Sequence, residues 1–373
     1  MSKNILITGG AGFVGSHLAD GLLERGHNVR VLDNLTPQVH GSELPAYLSP
    51  DVELIQADVR NPSSLHGALA GVDVVFHFAA AVGVGQSMYE ISRYVSVNTL
   101  GTAELLQALL DSRGMPEKLI VASSMSIYGE GRSICSQCRQ SQAPPMRTIA
   151  QLKSGEWDLQ CEVCGGNLEP MPTDEDKPSI TNSFYALTKR DQEELCLIFG
   201  RTYEVPVTAL RFFNIYGTRQ ALSNPYTGVA ANFASRLMNG QAPLVFEDGR
   251  QMRDFVNVRD IVRANLLAME SAESNGEVIN VGSGKPISIR GVAETLARVM
   301  GKNIRPVITG KYRAGDIRNC YADISKARRL LGYEPQVSHE TGFAELAGWL
   351  SGQRADDNAD QMMRNLAAYK LTA

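Results

Sequence analysis

Asn4-Ile-Leu-Ile-Thr-Gly-Gly-Ala-Gly-Phe-Val-Gly15 is the stretch on which the fold turns. It opens as an apolar run, breaks into a glycine-rich turn, and leads into a helix predicted over Phe13 to Arg25. Gly9, Gly12 and Gly15 form GxxGxxG. Such a turn, with Phe13 and Val14 inside it, brings bare backbone N–H groups and a helix N-terminus up to a pyrophosphate. A second predicted strand, Asn28-Val-Arg-Val-Leu32, runs into Asp33 and Asn34. A carboxylate at that point hydrogen-bonds a ribose 2′-OH and repels a 2′-phosphate, so the pattern predicts NAD and not NADP. Arg30 lies inside the strand and does not alter this.

Working outward, apolar runs at 4–8, 28–32, 52–56, 73–78 and 118–123 alternate with helix-length amphipathic segments such as Ser96 to Arg113. That alternation predicts βαβ units around a parallel sheet. From 131 to 173 the pattern stops: large apolar residues thin out and two CxxC pairs appear. A helix over Ser183 to Tyr203 and a strand over Val207 to Arg211 resume it. Beyond 216, segments of a second, smaller lobe are expected to alternate with returns to the first, and Asp254–Val258 and Val278–Gly282 read as short strands of this mixed region. The expected fold is α/β: a Rossmann-type doubly wound parallel sheet with a smaller mixed α/β substrate lobe and an inserted zinc-ribbon-like loop. The expected divisions are 1–130 for NAD, 131–173 for the insertion, 174–215 for the return to the first domain, 216–350 mainly for the substrate lobe with returns to the Rossmann domain, and 351–373 for a polar, partly mobile tail.

Across 373 residues the net charge is −4, which gives no general attraction for nucleic acid or an anionic membrane. No apolar stretch reaches the roughly 18–20 residues that span a bilayer. The first strand begins almost at Met1, which leaves no room for a signal peptide and predicts a cytoplasmic protein.

Two further motifs carry chemistry. Val121-Ala-Ser-Ser-Met-Ser-Ile-Tyr-Gly129 lies at the carboxyl end of a predicted strand, where open α/β sheets bind ligands. Tyr185-Ala-Leu-Thr-Lys189 puts a phenol and an ammonium on one helix face. A core-packed tyrosine beside a surface lysine is the plainer reading of YxxxK, and the glycine motif displaces it.

Together these pieces resemble the extended short-chain dehydrogenase/reductase family, in its nucleotide-sugar epimerase and dehydratase branch. The likeness also includes Asp58-Val59, His77-Phe-Ala-Ala80, Asn98, Ser123-Ser124, Arg211-Phe-Phe-Asn-Ile-Tyr-Gly217, Arg253-Asp-Phe-Val-Asn-Val258 and Gly315-Asp-Ile-Arg318. It implies that Tyr185 is the proton-transfer group, that Lys189 lowers its pKa and holds the nicotinamide ribose, and that the Ser124 hydroxyl bonds the reacting oxygen. It assigns Asp58, Val59, Phe78, Ala79, Ala80, Asn98 and Ser123 to the cofactor. It assigns Asn214 to the substrate, and Arg253 and Arg318 to its diphosphate. The 4,6-dehydratases carry adjacent acids where this chain has Met125 and Ser126, and methionine moves no proton, so epimerisation is favoured. Those two residues are then expected in the substrate pocket. The segments Asn224–Ala231 and Phe246–Gln251 resemble those of dTDP-L-rhamnose 4-epimerases, which interconvert dTDP-L-rhamnose and dTDP-6-deoxy-L-talose. UDP-glucose and UDP-glucuronate 4-epimerases are the nearest alternative, ahead of a dehydratase or dehydrogenase; an NAD sensor without turnover is the alternative of a different class. The family's dimer, a four-helix bundle, would use the helices near 96–113 and 183–203, with Leu100, Ala103, Leu106 and Leu110 as an apolar stripe.

Cys135, Cys138, Cys161 and Cys164 read as a structural zinc site, since four thiolates suit tetrahedral zinc and leave no position open for catalysis. Four free thiols or a redox switch are the alternatives. Cys196 and Cys320 are expected to pack as small hydrophobes, and His77 is given no chemistry.

Overall fold

The computed structural model describes residues 1–372 apart from Ser42, Arg113, Pro225, Thr227, Ala355 and Asp356. The predicted helix end at Arg113 and two positions of the 224–231 segment therefore lie outside the described residues. The N-terminal apolar run forms the strand Asn4–Thr8, and its neighbours extend it into a parallel sheet of seven strands. Their spatial order is Val278–Val281, Val207–Phe212, Lys118–Ser124, Val74–His77, Asn4–Thr8, Asn28–Asp33 and Glu53–Gln56. Ile5 pairs with both Val29 and Val74, so chain order reverses at the first strand. A crevice opens at such a reversal, beyond the carboxyl ends of the strands.

Alternation explains why these runs are strands. Ile5, Ile7, Val74, Phe76, Ile120 and Ala122 pack on one face, and Leu6, Val75, Leu119 and Val121 on the other. Both faces of the central strands are covered, so they read as near-continuous apolar runs, while the edge strand Glu53–Gln56 carries polar ends. The last strand, Val278–Val281, is one of the expected returns from the mixed region to the first domain; it closes the main sheet against Val207–Phe212. The smaller lobe has its own core, with Tyr216, Phe233, Phe255, Leu296 and Phe343. Its strand Met252–Asn257 pairs with Asn214–Tyr216, Pro286–Ser288 and Asn319–Cys320. That strand ends at Asn257, whose side chain caps a helix beginning at Val258.

The expected 96–113 helix begins earlier, at Ile91, and widens into a π turn over Val95–Leu100 before Gly101–Asp111. Leu106 is buried in the intrachain core, whereas Leu100 and Ala103 are exposed, so the expected stripe divides between two environments. The catalytic-motif helix runs Phe184–Tyr203, and Ser183 starts it by accepting the Ala186 N–H at 3.1 Å.

In the insertion, Ser133–Cys135 pairs antiparallel with Ser141–Gln142 and Leu168–Pro170 over a miniature core of Cys135, Leu159, Cys161 and Leu168. The tail forms the helix Ala359–Ala368 and stacks Tyr369 on Tyr89, so its described part is packed and not loose. Among the described residues no helix is long and apolar enough to cross a membrane.

Candidate active site

The carboxyl ends of the sheet open into a cleft of about 1110 Å³. Every residue expected to touch the cofactor lines it except Asn98. The glycine turn is a close approach: Gly9 has φ +70°, and a Cβ on Gly15 would stand 2.5 Å from Gly9 O. Gly12 precedes the Phe13–Leu23 helix with no side-chain cap, and no acidic residue occupies the first turn. This leaves a positive backbone end facing the cleft, the partner an anionic pyrophosphate requires. Asp33 accepts from Ala11 N at 3.1 Å and Leu35 N at 2.9 Å, which fixes its carboxylate at the rim. Asn34 donates to Asp58, whose carboxyl is held down to about 2 by its hydrogen bonds with Arg60. An NAD-sized dinucleotide therefore fits the donor set.

Asn98 is fully buried from the π turn, accepting from Ala81 N at 2.7 Å and donating to Ala81 O and Thr188 Oγ1. It fastens the Ala79–Ala81 wall to the YxxxK helix and does not itself line the cleft.

The chemical centre gathers three predicted side chains. Ser124 ends its strand; its Oγ accepts from Ser126 N at 3.2 Å and Ser126 Oγ at 2.9 Å. Its own hydroxyl is thereby left to donate to the Tyr185 phenol. Burial pushes that phenol up, and the Ser124 hydrogen bond opposes the shift. The family pattern assigns this role to Lys189, but the ammonium turns to Gln192 Oε1 at 2.8 Å. Burial pulls Lys189 down to about 8. An ammonium only donates, so Gln192 must present its oxygen here and direct its amide N–H groups toward His77, Thr102 and Ala79 O. Burial lowers His77 to about 3, so it is neutral between Thr8 and Thr102 and structural, as expected.

Met125, Ser126 and Asn214 line the cleft. Asn214 Oδ1 is buried with no hydrogen-bond partner among the described residues, an acceptor placed for a ligand. Gln220, Asn224 and Tyr226 also line it. Asn224 and Tyr226 belong to the segment whose likeness points to dTDP-L-rhamnose 4-epimerases, which assigns them no site role, and Gln220 stands outside every motif.

Arg253 and Arg318 depart from expectation. Neither lines the cleft. Arg253 donates to the backbone carbonyls of Met252, Ile317 and Arg318 and pairs with Asp316 at 3.1 Å. Arg318 is 2 % exposed and pairs with Asp158, Glu247 and Asp248. All three nitrogens of Arg318 and both terminal nitrogens of Arg253 donate within the protein, to these acids and to backbone carbonyls. Arg313, on the same segment, lies over the Phe246 ring at 4.8 Å and is more open, its side chain 37 % exposed.

The four insertion cysteines converge, with all Sγ atoms within 4.8 Å of one another. Cys135 and Cys164 approach to 3.4 Å and Cys138 and Cys161 to 3.6 Å. The amides of Cys138 and Gln137 point at Cys135 Sγ and lower its pKa. Gly165, at φ +71°, makes the turn after the second pair. Cys196 and Cys320 are buried elsewhere, as expected.

Residues 5–151 and 161–282 match the NAD dependent epimerase/dehydratase family. The chain is 33% identical to dTDP-L-rhamnose 4-epimerase of Burkholderia thailandensis, over 94% of this chain and 95% of that protein. It is also 33% identical to UDP-N-acetyl-alpha-D-glucosaminuronate decarboxylase of Bacillus cytotoxicus, over 94% and 98%. Its fold matches the structure of UDP-glucuronic acid 4-epimerase from Bacillus cereus in complex with UDP-glucuronic acid and NAD. That match has a TM-score of 0.77 and 28% identity, and covers 93% of this chain and 99% of the other.

Proposed function

Since the chain belongs to the NAD-dependent epimerase/dehydratase family, we propose that it is a nucleotide-sugar 4-epimerase converting dTDP-L-rhamnose to dTDP-6-deoxy-L-talose. The observation that carries this reading is the Ser124–Tyr185–Lys189 group at the carboxyl edge of the sheet, in one cleft with the glycine turn and Asp33. NAD bound in that cleft supplies the hydride acceptor and donor for sugar carbon 4. Tyr185 takes the proton of the 4-hydroxyl as the carbon-bound hydrogen leaves, and Ser124 hydrogen-bonds the same oxygen. Asn214 holds the sugar-diphosphate end, while Met125 and Ser126 allow the keto-sugar to turn before Tyr185 returns the proton. Met125 stands where a dehydratase needs an acid, which favours inversion over loss of water. UDP-glucuronate is the second substrate reading, supported by the fold likeness to an epimerase bound to that sugar.

The test is incubation of the purified protein with dTDP-L-rhamnose, and separately with UDP-glucuronate and UDP-glucose, products being resolved by NMR. Inversion at carbon 4 without added NAD supports the reading. Net NADH formation would move the assignment to a dehydrogenase.

The four cysteines would hold zinc as a structural ion, in a cytoplasm where thiols stay reduced. Their convergence and the amides aimed at sulfur support this, and metal analysis should find one zinc per chain. We further assign a homodimer in which the two long helices pair. Ile91, Val95 and Leu100 on one, and Leu187 and Ile198 on the other, are exposed apolar residues suited to that bundle. A monomeric mass by light scattering would overturn it.

A further inference from the structure

One fully buried polar side chain of the catalytic helix takes no part in the proton and hydride steps. Gln192 is 0 % exposed, lies one turn beyond Lys189, and does not line the cleft. Its Oε1 accepts from Lys189 Nζ at 2.8 Å. Its Nε2 reaches His77 Nε2 at 3.1 Å, Thr102 Oγ1 at 2.9 Å and Ala79 O at 3.3 Å. Gln192 thus ties the ammonium to the end of the Val74–His77 strand and to the cofactor wall that follows it.

Donor and acceptor types give this chain of bonds one direction. An ammonium and an amide nitrogen only donate, so Gln192 takes from Lys189 and gives to His77 Nε2. The His77 proton then sits on Nδ1, 2.8 Å from Thr8 Oγ1, which also accepts from Ala79 N at 3.2 Å. Thr102 Oγ1, 2.8 Å from the same Nε2, accepts from Gln192 and donates to Asn98 O at 2.6 Å. Turning the amide over would face two donors at Lys189 and two acceptors at Ala79 O. The amide is therefore fixed, and His77 fixes it without moving a proton.

The acceptor is neutral although an acid stands one residue on. Glu193 is answered by Arg211 at 2.6 Å and accepts from Ser123. No other group around Lys189 cancels its charge. His77 is held neutral by burial, and burial pushes Cys196, on the same helix, up to about 12, so it stays a thiol. Burial likewise keeps Tyr185 and its edge-on neighbour Tyr94 protonated. Of the three Lys189 donors one goes to Gln192, and the other two have no partner among the described residues.

We propose that Gln192 is a positioning residue for Lys189: a neutral acceptor, set by His77, Thr102 and Ala79, that holds the ammonium by one donor and leaves its charge uncancelled. Two donors then remain for a nicotinamide ribose in the cleft, and the positive charge on the helix face of Tyr185 favours its phenolate. The proposal rests on the epimerase reading above for the reaction it serves.

Three measurements on NAD-loaded protein test it. In wild type, nitrogen NMR of the His77 ring should show a protonated Nδ1 and an accepting Nε2. A proton on Nε2 would mean that the amide faces the other way, and overturns the proposal even where a variant fails to fold. Gln192→Met removes the acceptor at similar volume. Its kcat on dTDP-L-rhamnose should fall about tenfold with KM within about twofold, since Gln192 touches no ligand. Gln192→Glu sets a carboxylate against the ammonium and cancels its charge. The midpoint of Tyr185 ionisation should then rise by on the order of one pH unit, read from tyrosinate absorbance with Tyr185→Phe as the blank, and the acid limb of kcat should move with it. Wild-type kcat in Gln192→Met, or an unmoved Tyr185 midpoint in Gln192→Glu, overturns the proposal. Wild-type protein that turns over none of the nucleotide sugars removes the epimerase reading, while the His77 tautomer and the Tyr185 midpoint still decide the role of Gln192.

Discussion

Lys189 in the cleft and Arg318 beneath the insertion are both almost wholly buried cations, 3 % and 2 % exposed, yet their surroundings are opposite. Arg318 pairs with three carboxylates, two nitrogens meeting both oxygens of Asp248, and these acids drive its pKa up. Lys189 hydrogen-bonds only the neutral amide of Gln192 among the described side chains, and burial drives it down to about 8. Transferring a charge out of water is costly unless partners replace the water. A cation left so under-compensated beside a buried phenol marks a site arranged for a ligand, whereas a fully answered one marks architecture. The family resemblance treats Arg318 as a ligand-binding group. Its surroundings assign it to the scaffold.

The largest expected effect falls on the under-compensated side. Tyr185→Phe removes the proton-transfer group and should lower kcat by about 10²- to 10⁴-fold while NAD stays bound. Retained turnover would take Tyr185 out of its role and make the buried Lys189 unexplained. The architectural side should respond in stability. Arg318→Met leaves Asp248 without its cation and Glu247 with Arg147 alone, and should destabilise the protein by about 3 kcal/mol, measured by urea denaturation. A change of less than about 0.5 kcal/mol would mean that the acids find other partners and that Arg318 is spare for ligand after all.

The same contrast separates what is legible in the amino-acid sequence from what is not. The glycine turn, Asp33, the strand-end serines and YxxxK are local: each needs only a few consecutive residues and a helical or extended period to fix its geometry. The sheet is legible for the same reason, because Ile5, Leu6 and Ile7 alternate between two buried faces. Partnership between distant segments is not. Nothing near Arg318 in the chain announces Asp158 or Glu247, 160 and 71 residues away. The same holds for Gln192, which meets Lys189 within one helical turn but His77 across 115 residues. Val278–Val281 shows the same limit, because a four-residue run specifies a strand and not which sheet receives it. The cysteine cluster lies between these cases: its spacing announces convergence, and its contact with the substrate lobe is silent.

A smaller effect sharpens the comparison most, because its sign is opposite. Lys189→Met should abolish turnover yet stabilise the nucleotide-free protein. The interval between about 8 in the folded chain and the ordinary 10.5 corresponds to about 3 kcal/mol of burial cost at neutral pH. The lost bond to Gln192 and its orphaned oxygen offset part of this, so a net gain on the order of 1 kcal/mol is expected. The pH dependence fixes the cause. Between pH 8 and 10.5 the unfolded chain binds a proton at Lys189 that the folded chain does not, so this site's contribution to wild-type stability rises with pH across that window. The gap between variant and wild type should therefore be full below pH 8 and close as the pH approaches 10.5, read as the difference in Tm of matched samples. A variant less stable than wild type at neutral pH, or a gap that does not narrow on the alkaline side, would place Lys189 with Arg318, as a cation whose burial the scaffold has already compensated.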